Sequence, residues 1–271
     1  GAAAARNAGL EAGTGEFLAF LDDDDIWLPA HVRPHLRILD ENPGLEAVVS
    51  QVIAVDNNLR EIDNDPWPPN VSTKPRELLK DMLSGFYPQI GGTIVRASVR
   101  EPVGLFDPAL LGDQDWDWQL RVARRRKTTF LRTPCVLFRQ RPPGTFDKLR
   151  LLRLGYARKV FLRHALPEWR MWSPPRDFLH AYRDVVWQYF EYFCEAASSR
   201  AAAGASRGEI MRAVSGAFRA MPLRTILHVV GPRPLRRAVL SMLAPRKPAD
   251  ATPVAPAPPS SLSGAGGRGN D

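Results

Sequence analysis

Four consecutive aspartates at residues 22–25 are the part of this 271-residue chain whose type and spacing most clearly indicate chemistry. They follow a continuously apolar run over residues 17–21, which predicts a strand covered on both faces, as in a parallel sheet. Ligands of open α/β sheets bind beyond the carboxyl ends of such strands. Adjacent carboxylates repel one another, and their hard oxygens suit Mg²⁺ or Mn²⁺, so the run predicts a cation site. The alternative is an acidic turn that caps a helix beginning near Pro29.

A second acidic cluster, Asp113, Asp115 and Asp117, stands at the start of a predicted helix. Trp116 and Leu120 are spaced so that they fall on one apolar face of that helix. Acidic residues are also enriched in the first turn of ordinary helices, so the cluster is either a second site or a helix start.

Four short segments of the chain occur in an order that is typical of one enzyme family. They read Ala-Arg-Asn-Ala-Gly at 5–9, Gly-Glu-Phe-Leu-Ala-Phe-Leu-Asp-Asp-Asp-Asp at 15–25, Gly-Leu-Phe-Asp at 104–107 and Gln-Asp-Trp-Asp at 114–117. Over residues 2–145 the chain thus resembles the family 2 inverting glycosyltransferases, which have the GT-A fold. The resemblance implies metal-assisted transfer of a sugar, with inversion, from a nucleotide-diphosphate sugar to a hydroxyl acceptor on a glycan, lipid or other molecule.

The resemblance assigns roles to the acidic residues. Asp24 is the first choice as a ligand of Mn²⁺ or Mg²⁺, and Asp22 would lie nearer the metal or the ribose; a register shift of one would bring in Asp23 or Asp25 instead. The metal would neutralise charge that develops on the departing diphosphate. Asp115 aligns with the catalytic base, and a helix N-terminus favours its ionised form.

Donor contacts are also implied by the resemblance. They are expected of Arg6, Asn7, Asp22, Asp23 and Arg141. For Arg6 and Asn7 the alternative is a surface or helix-packing role. The family often has a histidine where this chain has Arg141 or Pro142, so a late histidine ligand is missing and Arg141 could contact diphosphate instead.

Acceptor contacts are expected of Gln114 and Trp118. Gln114 replaces the usual glutamate of the family, which removes one charge and affects acceptor specificity more than chemistry. Sugars stack on aromatic faces, so Trp118 is the expected platform, whereas Trp116 is assigned to the core because it shares the apolar helix face.

His31 and His35 have the spacing of a helical zinc-binding pair. Pro34 lies between them and the sequence offers no third ligand nearby, so a zinc site is not expected. The two cysteines, Cys135 and Cys194, lack metal-ligand spacing and are expected to be small buried apolar residues.

Hydrophobic periodicity and turn signals predict an α/β chain. Helices are predicted at 2–12, 29–42, 74–83, 148–165, 177–197, 208–220, 223–230 and 235–243, and strands at 17–21, 46–55, 91–96 and 129–140. The expected fold is a GT-A-like mixed sheet flanked by helices, with the first βαβ unit missing by N-terminal truncation, followed by a mostly helical C-terminal region. The expected regions are a partial GT-A domain at 1–145, a basic helical region at 146–245, and a disordered Pro/Ala/Gly tail at 246–271.

Charge is distributed unevenly along the chain. Residues 1–145 hold 17 Lys and Arg against 20 Asp and Glu, a net charge of −3, whereas residues 146–248 hold 19 against 7, a net charge of +12. The basic region predicts peripheral contact with an anionic membrane; nucleic acid is the less favoured partner. No stretch of 18 apolar residues occurs, and two cysteines fit a reducing compartment, so the expected location is cytoplasmic, with contact at the inner face of the membrane.

Two other classes of function stay open. One is a non-catalytic, truncated remnant whose basic helices bind an anionic membrane or nucleic acid. The other is a nucleotidyltransferase built on a similar sheet.

Overall fold

A computed structural model describes residues 1–62, 70–140, 147–230 and 234–243. Its five-stranded sheet has the order β1–β4–β3–β5–β2. Strands β3 and β5 run parallel, and the other pairs are antiparallel. The strands are β1 (Phe17–Ala19), β2 (Ile26–Trp27), β3 (Ala47–Val55), β4 (Thr93–Arg96) and β5 (Thr128–Arg139). This mixed sheet confirms the predicted α/β class.

Helices surround the sheet and make up the second half of the described chain. They are α1 (Ala2–Ala12), α2 (Val32–Glu41), α3 (Pro75–Leu83), α4 (Arg100–Val103), α5 (Gln114–Ala123), α6 (Asp147–Ala165), α7 (Arg176–Ala202), α8 (Arg207–Ala220), α9 (Pro222–Val230) and α10 (Pro234–Leu243). The predicted helices are confirmed, with ends that differ by five residues or fewer. None of the described helices has the length and hydropathy needed to cross a bilayer.

Two details of the sheet differ from the prediction. The prediction that residues 17–21 form a parallel strand covered on both faces is wrong: β1 is an edge of the described sheet, antiparallel to β4, and Leu21 beyond it is half exposed. Strand β2 is not predicted, because two residues give no readable alternation. The helix predicted from Pro29 begins at Val32, after a turn.

One hydrophobic cluster joins the two predicted regions. It contains Met82 of α3 and Trp116 of α5 together with Phe161 of α6 and Phe190 of α7, and it continues to Ala238 of α10. The helical region therefore packs directly against the helix that carries the second acidic cluster. The predicted boundary near 145, the whole 246–271 tail and Arg141 lie outside the described residues.

Candidate active site

A cavity of about 550 Å³ lies between one face of α1 and residues 18–23, at the end of β1. Arg6 of α1 reaches across it, and its Nη2 lies 2.6 Å from Oδ1 of Asp22. Arg6 and Asp23 also line the cavity. The structure thus brings together three of the residues predicted to contact the donor: the guanidinium of Arg6 and the carboxylates of Asp22 and Asp23.

Burial differs from one aspartate of the run to the next. Asp23 is exposed, Asp22 and Asp24 are half-buried, and Asp25 is buried. Oδ1 of Asp25 accepts a hydrogen bond from the backbone N–H of Arg139, at 2.9 Å. Burial, reinforced by the charges of Asp24 and Asp22, raises the pKa of Asp25 to about 6 despite that hydrogen bond. The alternative in which Asp25 caps α2 is wrong, because His31 is the N-cap residue of that helix and the Asp25 carboxylate accepts the N–H of Arg139 instead.

The side-chain amide of Asn7 is hydrogen-bonded to the backbone of Phe106. Its Nδ2 donates to the carbonyl of Phe106 at 3.0 Å, and its Oδ1 accepts from the N–H of Phe106 at 2.8 Å. Both polar atoms of the amide are therefore hydrogen-bonded to the backbone of Phe106. The prediction of a donor contact at Asn7 is corrected to a structural role that ties α1 to the segment leading towards α5.

Asp115 lies in the first turn of α5, half-buried. Asp113 before it is the N-cap residue in a left-handed conformation, with φ of 59°. Asp113 is buried beside Arg153 of α6, whose Nη2 lies 3.4 Å from its Oδ1. Burial raises the pKa of Asp113 to about 6, although the Arg153 charge opposes this rise. Oε1 of the neighbouring Gln114 is buried without a hydrogen-bond partner among the described residues.

Trp118 belongs to the core, not to an open surface. Its side chain is 0% exposed, and its Nε1 donates to the carbonyl of Gly104 at 2.9 Å. The prediction that Trp118 offers a face to an acceptor is wrong, because the ring is enclosed by Phe20 and Phe106. The assignment of Trp116 to the core is confirmed.

The same aromatic contact brings the segments of the two acidic clusters together. The ring centroids of Phe20 and Trp118 are 5.3 Å apart, and those of Phe20 and Phe106 are 5.6 Å apart. Phe20 lies two residues before Asp22, and Trp118 lies three residues after Asp115. The end of β1 and the start of α5 are therefore neighbours in space.

Asp117 anchors α5 to the helical region. The carboxylate is buried and pairs with Arg121 at 3.1 Å, with Arg163 at 2.8 Å and with His164 at 3.0 Å. Burial alone would raise its pKa, but His164 and the two arginines outweigh that effect and lower it to about 2. Asp117 is therefore ionised at neutral pH and fixes the helix that presents Asp115.

The carboxylates at the cavity fit a hard divalent cation. Asp22 and Asp23 line the cavity, and Asp24 follows in the same turn. Carboxylate oxygens at a solvent-accessible site are the ligands that Mg²⁺ and Mn²⁺ prefer.

Sequence reasoning misses three side chains that shape this region. They are Arg139, which donates to the Asp24 carbonyl at 2.9 Å, and Arg153 and His164, which lie beside the second cluster. No local pattern marks them, because only packing of distant segments places them there.

The sequence model of Glycosyl transferase family 2 matches residues 1–100. An uncharacterized glycosyltransferase of Haemophilus influenzae is 27% identical over 131 residues, covering 48% of this chain and 43% of that protein. The uncharacterized glycosyltransferase YwdF of Bacillus subtilis is 29% identical over 141 residues, or 50% and 48% of the two chains. The uncharacterized glycosyltransferase alr2836 of Nostoc sp. is 32% identical over 117 residues, or 40% and 34%.

Residues 1–100 are thus similar to glycosyl transferase family 2, and the three relatives are glycosyltransferases by name. The chain spans less than half the length of each of these curated relatives. The crystal structure of S. aureus TarS 1-349 is similar over 90% of this chain and 70% of that one, with a TM-score of 0.49 and 13% sequence identity.

Proposed function

We propose that this protein transfers a sugar from a nucleotide-diphosphate sugar to a hydroxyl acceptor, with inversion and with metal assistance. The observation that carries this proposal is the contact between Phe20 and Trp118, which makes the two acidic segments neighbours. Inverting transfer needs a cation-binding group on the leaving-group side and a base on the acceptor side. A shared cleft between Asp24 and Asp115 would provide both.

The donor diphosphate would occupy the cavity beside α1. Arg6 supplies a cation there and holds the Asp22 carboxylate in place through their ion pair. Asp22 and Asp24 would hold Mn²⁺ or Mg²⁺, and the ion would supply positive charge to the departing diphosphate. Asp23 is exposed at the same cavity and would contact the donor. Arg141 is retained as a donor contact by resemblance alone.

Asp115 would accept the proton of the acceptor hydroxyl. It lies half-buried in the first turn of α5. Gln114 beside it carries the unpaired Oε1, which could accept a hydrogen bond from an acceptor hydroxyl. A base on the face opposite the leaving group permits a single in-line displacement, and that gives inversion.

Three single variants test the proposal. Asp115→Asn should lower the transfer rate by about 10²–10⁴-fold, because a general base is lost, while donor affinity stays unchanged. Asp24→Asn should weaken Mn²⁺-dependent binding of uridine or guanosine diphosphate at least about tenfold, because one ligand charge is lost. Asp40→Asn, on the exposed side of α2, is the matched control and should change neither quantity.

Isothermal titration with each diphosphate, with and without Mn²⁺, measures binding. Transfer is followed by release of nucleoside diphosphate from a panel of nucleotide sugars. Unchanged turnover in Asp115→Asn would remove that residue from its role. Pyrophosphate release from a nucleoside triphosphate would favour the nucleotidyltransferase, and absence of any diphosphate binding would favour the non-catalytic remnant.

A surface on α8 and α9 supports membrane contact as a further part of the proposal. An apolar groove of about 380 Å³ runs between these helices, and Phe218 and Ile226 on its walls are about half exposed. Arg212 and Arg219 stand on α8 and Arg224 on α9, within the region of net charge +12. Exposed apolar side chains among arginines are typical of helices that lie in an anionic membrane interface. The acceptor would then be lipid-linked or at the membrane, and the location cytoplasmic.

Vesicle co-sedimentation tests this surface. Binding to phosphatidylglycerol-containing vesicles should fall at least about tenfold in the double variant Phe218→Ser, Ile226→Ser, since burial of two large apolar side chains is lost. Ile62→Ser removes an equally exposed apolar side chain from the other half of the chain and is the control. Equal binding to neutral phosphatidylcholine vesicles, or tighter binding to duplex DNA, would contradict the membrane assignment.

A further inference from the structure

A buried cluster of metal-ligating side chains lies apart from the aspartate run. His31 and His35 stand on the same side of the start of α2, and Cys135 of β5 faces them. One ligand atom from each of the three lies within 4.8 Å of the other two. All three side chains are buried. The expectation that the histidine pair has no third ligand is therefore wrong, because the fold brings in a cysteine from a distant strand.

His31 is a buried imidazole without its ordinary partners. The residue is 1% exposed, and neither ring nitrogen has a hydrogen-bond partner of normal geometry among the described residues. Its ring is stacked on Trp27 with centroids 4.4 Å apart, which fixes its orientation. Buried polar atoms in native proteins are nearly always satisfied, so an orphaned imidazole indicates a ligand.

His35 is arranged as metal-bound histidines are. Its Nδ1 lies 2.6 Å from the carbonyl of His31, and its Nε2 lies 3.1 Å from the carbonyl of Gly92. A neutral imidazole carries one N–H, so only one of these two carbonyls can receive a proton. If Nδ1 donates to His31, the lone pair of Nε2 faces an oxygen that cannot donate. A cation at Nε2 would relieve that contact, and metal-bound histidines usually donate the N–H of their other ring nitrogen to a carbonyl, carboxylate or water.

We propose that His31, His35 and Cys135 form a three-ligand site for a borderline-soft divalent ion, with Zn²⁺ as the preferred metal. Thiolate and imidazole ligands select zinc rather than the hard cations that suit aspartates. Zinc bonds of about 2.0–2.3 Å place tetrahedral ligand atoms about 3.3–3.8 Å apart, so the cluster would contract by about 1 Å on binding. Three protein ligands leave a fourth position for water.

The protonation states of the cluster are compatible with this site. Burial lowers the pKa of His31 to about 4, with a further decrease from the His35 charge and a small opposing effect of the Cys135 backbone. Burial also lowers the pKa of His35 and raises that of the Cys135 thiol. Both imidazoles are therefore neutral at pH 7, and metal binding would release the Cys135 thiol proton to solvent.

The site would fix the segment that follows the aspartates. The N–H of Leu28 donates to the Cys135 carbonyl at 3.0 Å, and Nε1 of Trp27 donates to the Gly91 carbonyl at 2.9 Å. A metal bound by His31 and by Cys135 of β5 would add a third attachment to the segment between the aspartates and α2. It is distinct from the cation site proposed at Asp22 and Asp24, because its donor set contains sulfur and nitrogen instead of carboxylate oxygen.

Cobalt titration of the metal-free full chain tests the site. Co²⁺ bound to a thiolate gives a ligand-to-metal charge-transfer band, and a tetrahedral site gives intense visible bands. We expect both at one equivalent of Co²⁺ per chain, and Zn²⁺ should displace them. Cys135→Ser should abolish the charge-transfer band and weaken cobalt binding more than about 100-fold, since loss of a residue that only hydrogen-bonds to a metal ligand costs about 10–100-fold. Cys194→Ser removes the other buried cysteine and should leave the band intact.

Two more variants keep the test decisive. His31→Gln retains the thiol and should also lose cobalt affinity, so the proposal does not depend on the folding of Cys135→Ser alone. Asp24→Asn should retain the thiolate band, which separates this site from the proposed donor site. A wild-type chain without a thiolate band at stoichiometric Co²⁺, or a band that persists in Cys135→Ser, would overturn the proposal.

Discussion

Asp117→Asn should destabilise the protein by removing the buried charge that joins α5 to α6. Asp117 is 0% exposed, and its pKa is about 2 against an ordinary value of 3.8. The gap between these values corresponds to roughly 2–3 kcal/mol of folding free energy at neutral pH, at about 1.4 kcal/mol per pKa unit. The amide of Asn also places an NH₂ group either against Arg121, which donates to Oδ2, or against Arg163 and His164, which donate to Oδ1, so a donor faces a donor in either orientation.

The pH dependence of this loss follows from the sign of the pKa change. The folded-state pKa is below the unfolded one, so the contribution of Asp117 is complete above pH 4 and disappears as the pH falls through 2. At pH 3 roughly half of it should remain. Urea denaturation followed by circular dichroism, at pH 7 and at pH 3, measures the free energy of unfolding of wild type and variant.

Asp107→Asn is the matched control, because Asp107 also pairs with Arg163, at 3.2 Å, but is more exposed. That change should cost at most about 1 kcal/mol, since exposed pairs contribute little. A cost within about 0.5 kcal/mol of zero for Asp117→Asn at pH 7, or one that is the same at pH 3, would refute the reasoning.

Three other substitutions have expected outcomes that thermal unfolding can check. Gly216→Ala should lower stability by about 1–3 kcal/mol, because its Cβ would lie 2.5 Å from the ring of Phe193 where α7 and α8 pack. Trp118→Phe should cost about 1–3 kcal/mol by leaving the Gly104 carbonyl without its donor, and the acceptor KM should not change; a raised KM would restore Trp118 to the acceptor site. Asn7→Leu should lower the free energy of unfolding by about 1–3 kcal/mol and not donor affinity alone, because both hydrogen bonds of the Asn7 side-chain amide go to the Phe106 backbone. An unchanged melting temperature would contradict this.

The amino-acid sequence was sufficient to predict most helices and longer strands. The apolar faces of α3 and α5 repeat at helical spacing, and Ala47–Val55 is too apolar and β-branched to be anything but a strand. Motif order was sufficient to indicate the resemblance that the family model matches over residues 1–100, because four degenerate segments in order are more specific than any single one. Residue spacing and motif order are properties of the chain itself, so they can be recognised without the tertiary structure.

Tertiary structure alone decided which side chains meet. Trp118 is buried against Phe20, and the side-chain amide of Asn7 is hydrogen-bonded to the backbone of Phe106. Cys135 lies beside a histidine pair that comes about a hundred residues earlier in the chain. The tertiary structure also makes β1 an antiparallel edge of the described sheet. Contacts between distant segments depend on how elements pack, and periodicity along the chain carries no information about the partner that an apolar face or a polar atom will meet.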